Sequence, residues 1–153
     1  MSDLDPDRLR LSELGPRDFA RLVRDVPPSD LGELMAGSMR RAVLNEVFAR
    51  MRHQFLPARA GDRRAVVHWV ITSPAHDAEP DRYELRIADG DCQVESPPTE
   101  EPRVTLTLDA VDFLRLTSGN ANGTTLFLRR NLKLEGDLGL GAGLLSMFDI
   151  PKP

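Results

Sequence analysis

The 153-residue sequence predicts a single α+β domain, and two patterns along the chain support this prediction. Apolar residues recur at helical spacing up to Phe55, whereas β-branched and aromatic residues take over from Ala65 onward, and alternation with polar residues follows. The length suffices for one sizeable core but hardly for two. With 41% hydrophobic and 29% charged residues, the composition is that of a folded globular protein.

The first predicted helix begins at Pro16, because proline fits the first helical position, and it ends before Pro27 and Pro28. Residues 1–15 are polar, and we expect them to be loosely held on the surface. The apolar stripe of this helix consists of Phe19, Leu22, Val23 and Val26.

A longer helical run is predicted over residues 31–55. Asp30 and Glu33 are spaced as a capping pair, which predicts where the run begins. Gly37 is expected to divide the run into two helices, and Pro57 is expected to end it.

Five strands are predicted in the middle and last parts of the chain, because apolar and β-branched residues either cluster or alternate with polar ones there. Asp89-Gly90-Asp91 is typical of a tight hairpin turn between the second and third strands. The predicted strands cover residues 65–71, 83–87, 92–95, 104–108 and 132–135.

Short helices are predicted between and after the last two strands. Asp109 is placed to cap a helix that Gly119 closes at the C′ position. A second short helix is predicted to begin near Thr124, and the last helix is predicted over residues 138–148 with Asp137 as its cap.

The predicted last helix has no polar face to present to water. A helix that is apolar all round is buried on several sides, inserted into a partner, or packed on a bound lipid. Each internal glycine costs about 1 kcal/mol relative to alanine, so the segment is either closely packed or soft. The pattern supports completion of the core and the wall of a ligand cavity equally. The apolar residues are Leu138, Leu140, Leu144, Leu145, Met147 and Phe148, and the glycines are Gly139, Gly141 and Gly143.

Three stretches in the second half of the chain follow one another in a distinctive order. The most specific combination is a strand over residues 132–135, followed by Gly136-Asp137 and then by an apolar helix. The stretches are Val104-Thr105-Leu106-Thr107-Leu108-Asp109 running into Asp112-Phe113-Leu114, Thr117-Ser118-Gly119-Asn120, and Leu132-Lys133-Leu134-Glu135-Gly136-Asp137 with residues 144–148.

From about Leu44 to Phe148, roughly two thirds of the chain, this order resembles the sterol carrier protein 2-like family. The resemblance implies a five-stranded, mostly antiparallel sheet that is covered on one face by helices and encloses a hydrophobic tunnel. It also implies an N-terminal helical extension over residues 1–40 and a lipid-binding domain over residues 41–153. The chain departs from the family pattern at Arg130, where a small residue is common before the final strand.

The ligands implied by the resemblance are sterols, fatty acids, acyl-coenzyme A thioesters and phospholipids. An enclosed apolar site suits them, because each methylene group left in water costs about 0.8 kcal/mol. For each candidate residue, ligand contact and ordinary core packing are both open. The predicted ligand-binding residues are Trp69, Tyr83, Leu85, Leu106, Phe113, Leu116, Phe127, Leu144, Leu145 and Phe148.

Other kinds of site find little support in the sequence. The net charge is −4 with both signs interspersed and Arg129-Arg130 is a small basic pair, so nucleic acid is not an expected partner. Cys92 is the single cysteine, which excludes an intrachain disulfide. His53, His68 and His76 lack metal-ligand spacing, and neither a metal nor a cofactor is predicted. Pairing of His68 with Cys92 as a nucleophile stays open.

We therefore predict a non-enzymatic protein that binds, and transfers within the cell, an apolar ligand. The alternative is a non-catalytic interaction or dimerisation module that uses the apolar C-terminal helix. A homodimer and transient membrane contact are both compatible with the sequence. We expect a cytoplasmic location, because no signal pattern and no apolar window of about eighteen residues occur.

Overall fold

A computed structural model of the chain describes residues 14–73 and 79–150. His76 and most of the predicted loosely held segment, residues 1–13, lie outside the described residues. The described elements are α1 Pro16–Asp25, α2 Pro28–Ala36, α3 Arg40–Gln54, α4 Pro57–Ala60, β1 Ala65–Thr72, β2 Asp81–Ala88, β3 Asp91–Glu95, β4 Val104–Asp109, α5 Ala110–Thr117, α6 Gly123–Leu128, β5 Lys133–Gly136, α7 Leu138–Gly143 and a 3₁₀ segment Leu144–Met147.

The five strands form one mixed sheet in the order β3-β2-β1-β4-β5. β1 and β4 pair in parallel, and the other three neighbouring pairs are antiparallel. Asp89 and Gly90 both adopt positive φ angles, 54° and 73°, in the tight turn between β2 and β3. The predicted fold class, an α+β domain with a mostly antiparallel five-stranded sheet, is confirmed.

Helices cover one face of the sheet, and an aromatic cluster fills the space beneath α3. Phe48 of α3 stacks on Tyr83 and Phe113 with ring centroids 4.1 and 5.1 Å away. Trp69 meets Phe48 and Phe113 edge-on at 6.4 and 5.3 Å. All four side chains are buried, so this half of the interior is solid protein.

The N-terminal helices begin where prolines fix the backbone. α1 begins at Pro16, as predicted, and the break between α2 and α3 falls at Gly37, as predicted. The predicted capping role of Asp30 is wrong: α2 begins earlier, at Pro28, without a side-chain cap, and Asp30 lies in its first turn. Pro57 does not end the long helix either, because α3 already stops at Gln54 and Pro57 begins α4.

The predicted caps of the later helices are confirmed. The Asp109 carboxylate accepts a hydrogen bond from Asp112 N at 2.7 Å, and Gly119 follows α5 with a φ of 81°. α6 begins at Gly123, next to the predicted Thr124, and is capped by Asn122.

The C-terminal segment differs from the single helix predicted over residues 138–148. Asp137 caps α7 as predicted, accepting a hydrogen bond from Leu140 N at 3.0 Å. The α-helix ends at Gly143, a 3₁₀ segment follows, and Phe148 forms an isolated β-bridge with Phe55. The glycines explain the break, because a glycine-rich helix has little backbone preference and yields to tertiary contacts.

Residues from the predicted N-terminal extension belong to the same core as the sheet. Phe19 of α1 and Met35 of α2 are buried in it. The Arg40 guanidinium joins three elements, because it donates to Asp81 Oδ2 at 2.6 Å, to Ile71 O at 2.7 Å and to Met35 O at 3.1 Å. α1 and α2 are therefore fixed to the sheet by apolar and polar contacts.

A buried carboxylate lies on the face of the sheet opposite the helices. Glu84 Oε1 accepts hydrogen bonds from Glu100 N at 2.9 Å and Thr99 N at 3.1 Å, and it contacts His68 Nε2 at 3.1 Å. Burial raises the pKa of the Glu84 carboxyl, but these donors outweigh burial and hold its pKa below the usual value. The ionised carboxylate therefore fastens the 96–100 loop to the sheet.

We expect Glu84→Gln to lower the free energy of unfolding by about 2 kcal/mol at neutral pH, because a neutral amide oxygen accepts the hydrogen bonds from Thr99 N and Glu100 N more weakly than the carboxylate does. Since the folded-state pKa lies below the unfolded one, the stabilisation is complete above about pH 4.3 and disappears as the pH falls through the folded-state value. Urea unfolding of both proteins across this range measures it. A difference between the two proteins that does not shrink in acid would contradict the assignment.

Candidate ligand cavity

A cavity of about 380 Å³ lies between the β4–β5 end of the sheet and the short C-terminal helices. Its volume is near the lower limit of the roughly 300–1,000 Å³ typical of small-molecule sites. Asn122 and Thr124 bring the only polar side chains among its lining residues. The lining consists of Leu106, Leu116, Asn122, Gly123, Thr124, Phe127, Leu132, Leu134, Leu138, Gly141, Ala142 and Leu145.

The floor of the cavity is the end of the sheet. Leu106 of β4 is paired with Leu134 of β5, so both side chains point to the helix-covered face. Leu132 precedes β5 and is buried beside them. β5 is an edge strand of four residues, and the apolar side chains therefore form a floor that ends at the border of the sheet.

α7 lies close to this floor because two glycines allow it. A Cβ atom on Gly141 would be 3.2 Å from both Leu134 Cδ2 and Val104 Cγ2. Gly136 has a φ of 104°, and a Cβ there would collide with the Arg103 carbonyl. The chain thus turns directly from β5 into α7.

The other end of the C-terminal segment is tied to the end of α3. Leu56 N donates to Met147 O and Asp149 N donates to Gln54 O, both at 2.7 Å. The rings of Phe55 and Phe148 meet edge-on at 5.6 Å. Because Asp137 N also donates to Arg103 O at 2.9 Å, the segment is held at both ends and forms a wall of the cavity between them.

α6 forms the opposite wall. The Asn122 side chain accepts hydrogen bonds from Thr124 N at 2.8 Å and Thr125 N at 3.2 Å, which fixes the start of the helix. Leu126 is buried in the core, whereas Phe127 turns toward the cavity and is 43% exposed. Leu138, on the α7 side, is 53% exposed, so the cavity opens to solvent between α6 and α7.

The sequence profile described as the SCP-2 sterol transfer family matches residues 44–149, which include the whole sheet and every cavity-lining residue. The chain belongs to this family. No curated protein sequence matches it significantly. None of the described helices is long and apolar enough to cross a bilayer.

Solved structures share the SCP-2 fold with this chain at low sequence identity. The sec-alkylsulfatase Pisa1 from Pseudomonas sp. superposes with a TM-score of 0.62 and 16% identity, over 75% of this chain and 18% of its own. SCP2-L2 from Aedes aegypti has a TM-score of 0.54 and 16% identity, over 71% and 98% of the two chains. Palmitated SCP2L2 from the same species has a TM-score of 0.54 and 13% identity, over 70% and 95%. The chain spans less than a fifth of the alkylsulfatase.

The ten predicted ligand-binding residues lie in two regions of the SCP-2 domain. Leu106, Leu116, Phe127 and Leu145 line the cavity. The others are buried away from it, and the Tyr83 hydroxyl donates to Asn45 Oδ1 at 2.6 Å. A ligand-binding role for the ten residues stays a prediction. The six buried residues are Trp69, Tyr83, Leu85, Phe113, Leu144 and Phe148.

Eight cavity-lining residues were not predicted. Leu132 and Leu134 could have been found, because their alternation placed them on one face of the last strand, opposite Leu106. Leu138 and Gly141 lie in the predicted last helix, whose pattern supported a cavity wall and completion of the core equally. The other four residues carry no signal in the sequence that places them at a cavity: Asn122, Gly123, Thr124 and Ala142.

A second cleft of about 410 Å³ borders α7 at Gly139 and Leu140. Arginine side chains dominate its lining, and two of them form ion pairs: Arg64 with Asp89 at 2.6 Å and Arg103 with Asp137 at 3.5 Å. Its charged lining makes it unsuitable for an apolar chain.

The sheet separates His68 from Cys92. Cys92 is paired with Ile87 and lies buried on the helix-covered face, whereas His68 contacts Glu84 on the opposite face. Burial raises the pKa of the Cys92 thiol to about 12, so the thiolate is not available as a nucleophile. Among residues 14–73 and 79–150, no three His, Cys, Asp or Glu side chains are grouped to hold a metal ion.

We expect the Cys92 thiol to react with a disulfide reagent roughly a hundredfold or more slowly in the folded protein than in denaturant, because it is buried and protonated. Release of the coloured leaving group at mildly alkaline pH gives both rates. Equal rates in folded and unfolded protein would show that the thiol is accessible.

Proposed function

We propose that this protein binds one long-chain lipid in the cavity between β4–β5 and α7 and releases it unchanged. The observation that supports this proposal most directly is the cavity of about 380 Å³. Its lining is almost wholly apolar, and it opens at Phe127 and Leu138. Membership in the SCP-2 sterol transfer family supports a carrier of sterols or other lipids.

Hydrophobic burial supplies the energy for binding. Shielding eight methylene groups from water contributes about 6 kcal/mol before the cost of ordering the ligand. A volume near the lower limit of ligand sites favours a single alkyl chain over a lipid with two chains. The structure of palmitated SCP2L2, which shares the fold, supports a fatty acid as the first ligand to test.

The cavity favours holding a ligand over transforming it. Apart from the Asn122 amide and the Thr124 hydroxyl, the lining offers no polar side chain, and the Asn122 oxygen is already used to cap α6. General acid–base or nucleophilic chemistry needs a paired donor and acceptor at the reacting atom. The two polar groups are suited to orienting a ligand near the start of α6.

The glycine-rich α7 provides a way to admit a ligand. Its six residues include three glycines, and its exposed first residue, Leu138, stands at the opening. Few side-chain contacts hold such a segment in place, so its local opening costs less than opening of the α3 region. We propose that outward movement of α7 from β5 enlarges the cavity while the chain stays fixed at Asp137 before it and at Met147 and Asp149 after it.

An interaction module that uses the C-terminal segment is less well supported. Leu140, Leu144, Met147 and Phe148 are already buried within this chain. In this segment, Leu138 and part of Leu145 remain exposed. Their apolar surface is smaller than the surface that a stable protein–protein interface of the usual size buries.

Leu145→Trp tests the proposed site, because the larger side chain occupies the cavity. We expect at least a tenfold weaker affinity for a fluorescent fatty acid, since excluding two methylene groups from burial costs about 1.6 kcal/mol. Titration of the labelled ligand in the absence of vesicles measures the affinity.

Leu34→Trp is the matched control, because Leu34 is also a partly buried leucine packed against the core but lies on α2, away from the cavity. Its affinity should equal that of the wild type. Equal weakening by both substitutions, or no binding by the wild-type protein of fatty acid or sterol, would overturn the proposal.

A further inference from the structure

We propose that the mouth of the cavity docks onto an anionic lipid bilayer. The docking surface consists of Phe127, Leu128, Arg129 and Arg130 at the end of α6, together with Leu138 of α7. This inference rests on the proposed function and adds the partner from which the ligand is collected, or to which it is delivered.

The large hydrophobic side chains that are exposed on the described part of the chain are concentrated at this surface. Among the described residues, the large hydrophobic side chains that are exposed are Phe127 at 43%, Leu128 at 74% and Leu138 at 53%. Phe127 and Leu138 line the cavity, and Leu128 is adjacent to Phe127. The exposed apolar side chains are thus gathered where a ligand would pass.

Two arginines lie beside the exposed apolar side chains at the end of α6. The chain carries a net charge of −4, but Arg129 and Arg130 directly follow Leu128, and the next acidic residues are paired, Glu135 with Lys133 at 3.4 Å and Asp137 with Arg103 at 3.5 Å. Arg129 and Arg130 are exposed, and no described residue forms an ion pair with either guanidinium. Two arginines that pair with no described residue, together with the exposed apolar side chains beside them, complement a surface of anionic headgroups.

The backbone conformation of Arg130 is one that an arginine rarely adopts. Arg130 has a φ of 63°, a left-handed conformation in which glycine is favoured over any residue with a Cβ atom. The turn fixes this conformation, because Arg130 N donates to Phe127 O at 3.0 Å and Asn131 N donates to Leu126 O at 2.8 Å. A cationic side chain therefore stands at a position where the fold alone favours glycine.

A second copy of the chain fits this surface poorly. A two-fold symmetric contact would place the arginines of one protomer against those of the other, and their like charges repel. Three exposed side chains also offer much less apolar area than a stable dimer buries. An anionic bilayer meets both parts of the surface at once, since headgroups face the arginines and acyl chains receive Phe127, Leu128 and Leu138.

Sedimentation of the full-length protein with lipid vesicles tests the proposal. We expect partition onto phosphatidylcholine vesicles that contain phosphatidylglycerol, and much less onto pure phosphatidylcholine. Arg129→Gln/Arg130→Gln should lower the partition roughly tenfold or more at low salt, because each arginine near an anionic surface adds a several-fold factor. Leu128→Gln should also weaken it, since less apolar surface is inserted.

Arg41→Gln/Arg82→Gln is the matched control. It removes the same charge from exposed residues near the start of β2, which β1 and β4 separate from β5. Its partition should stay within about twofold of the wild type at the same ionic strength. Arg130→Gly gives a second check, because it should preserve or raise thermal stability while it lowers the partition.

Two results would overturn the docking proposal: equal losses in the two double variants, or no partition of the wild type onto anionic vesicles. A dimer that depends on Leu128 and forms in place of vesicle binding would identify a second copy as the occupant and overturn it as well. Binding of fluorescent fatty acid without vesicles separates the two proposals. If that binding persists, the docking surface alone is wrong; if it is absent while vesicles are bound, the cavity function is wrong.

Discussion

The close approach of the C-terminal segment to β4 is the contact on which the cavity depends. Gly136 turns the chain with a positive φ at a point where a Cβ would collide with the Arg103 carbonyl, and a Cβ on Gly141 would be 3.2 Å from side-chain atoms of Leu134 and Val104. Because the segment is held again at Met147 and Asp149, it spans the end of the sheet as a wall. A residue with a Cβ atom at Gly136 would displace this wall from its present position.

The two halves of the helix-covered face have different roles. Under α3, the aromatic cluster is packed to the density of a protein interior and supplies the burial that holds the sheet together. At the other end of the sheet, β4 and β5 carry leucines on this face, while the covering helices α6 and α7 are short and have the exposed residues Leu128 and Leu138. The densely packed half under α3 thus supports the half that contains the cavity. Ligand exchange requires such an arrangement, because local opening is confined to the less densely packed half.

The sequence predicted elements more reliably than the contents of the site. Clustered or alternating apolar residues placed all five strands, and Pro16 placed the start of α1, because those signals are local. Asp30 failed as a cap since Pro28 already starts the helix two residues earlier. Trp69 and Phe113 were predicted to contact a ligand in a cavity. Whether an aromatic side chain borders a cavity depends on the helix that covers it, and Phe48 of α3 packs against both of these side chains. Gly141 and Ala142 line the cavity through the path of the backbone, which no single-residue pattern encodes.

Nuclear Overhauser contacts between carbon-13-labelled palmitate and leucine methyl groups would test most directly whether the cavity receives the ligand. Contacts from the middle of the acyl chain to Leu106, Leu134 and Leu145 are predicted, because these side chains form the floor and the C-terminal wall. Contacts confined to Leu128, or an acyl chain that meets none of the three leucines, would contradict the account.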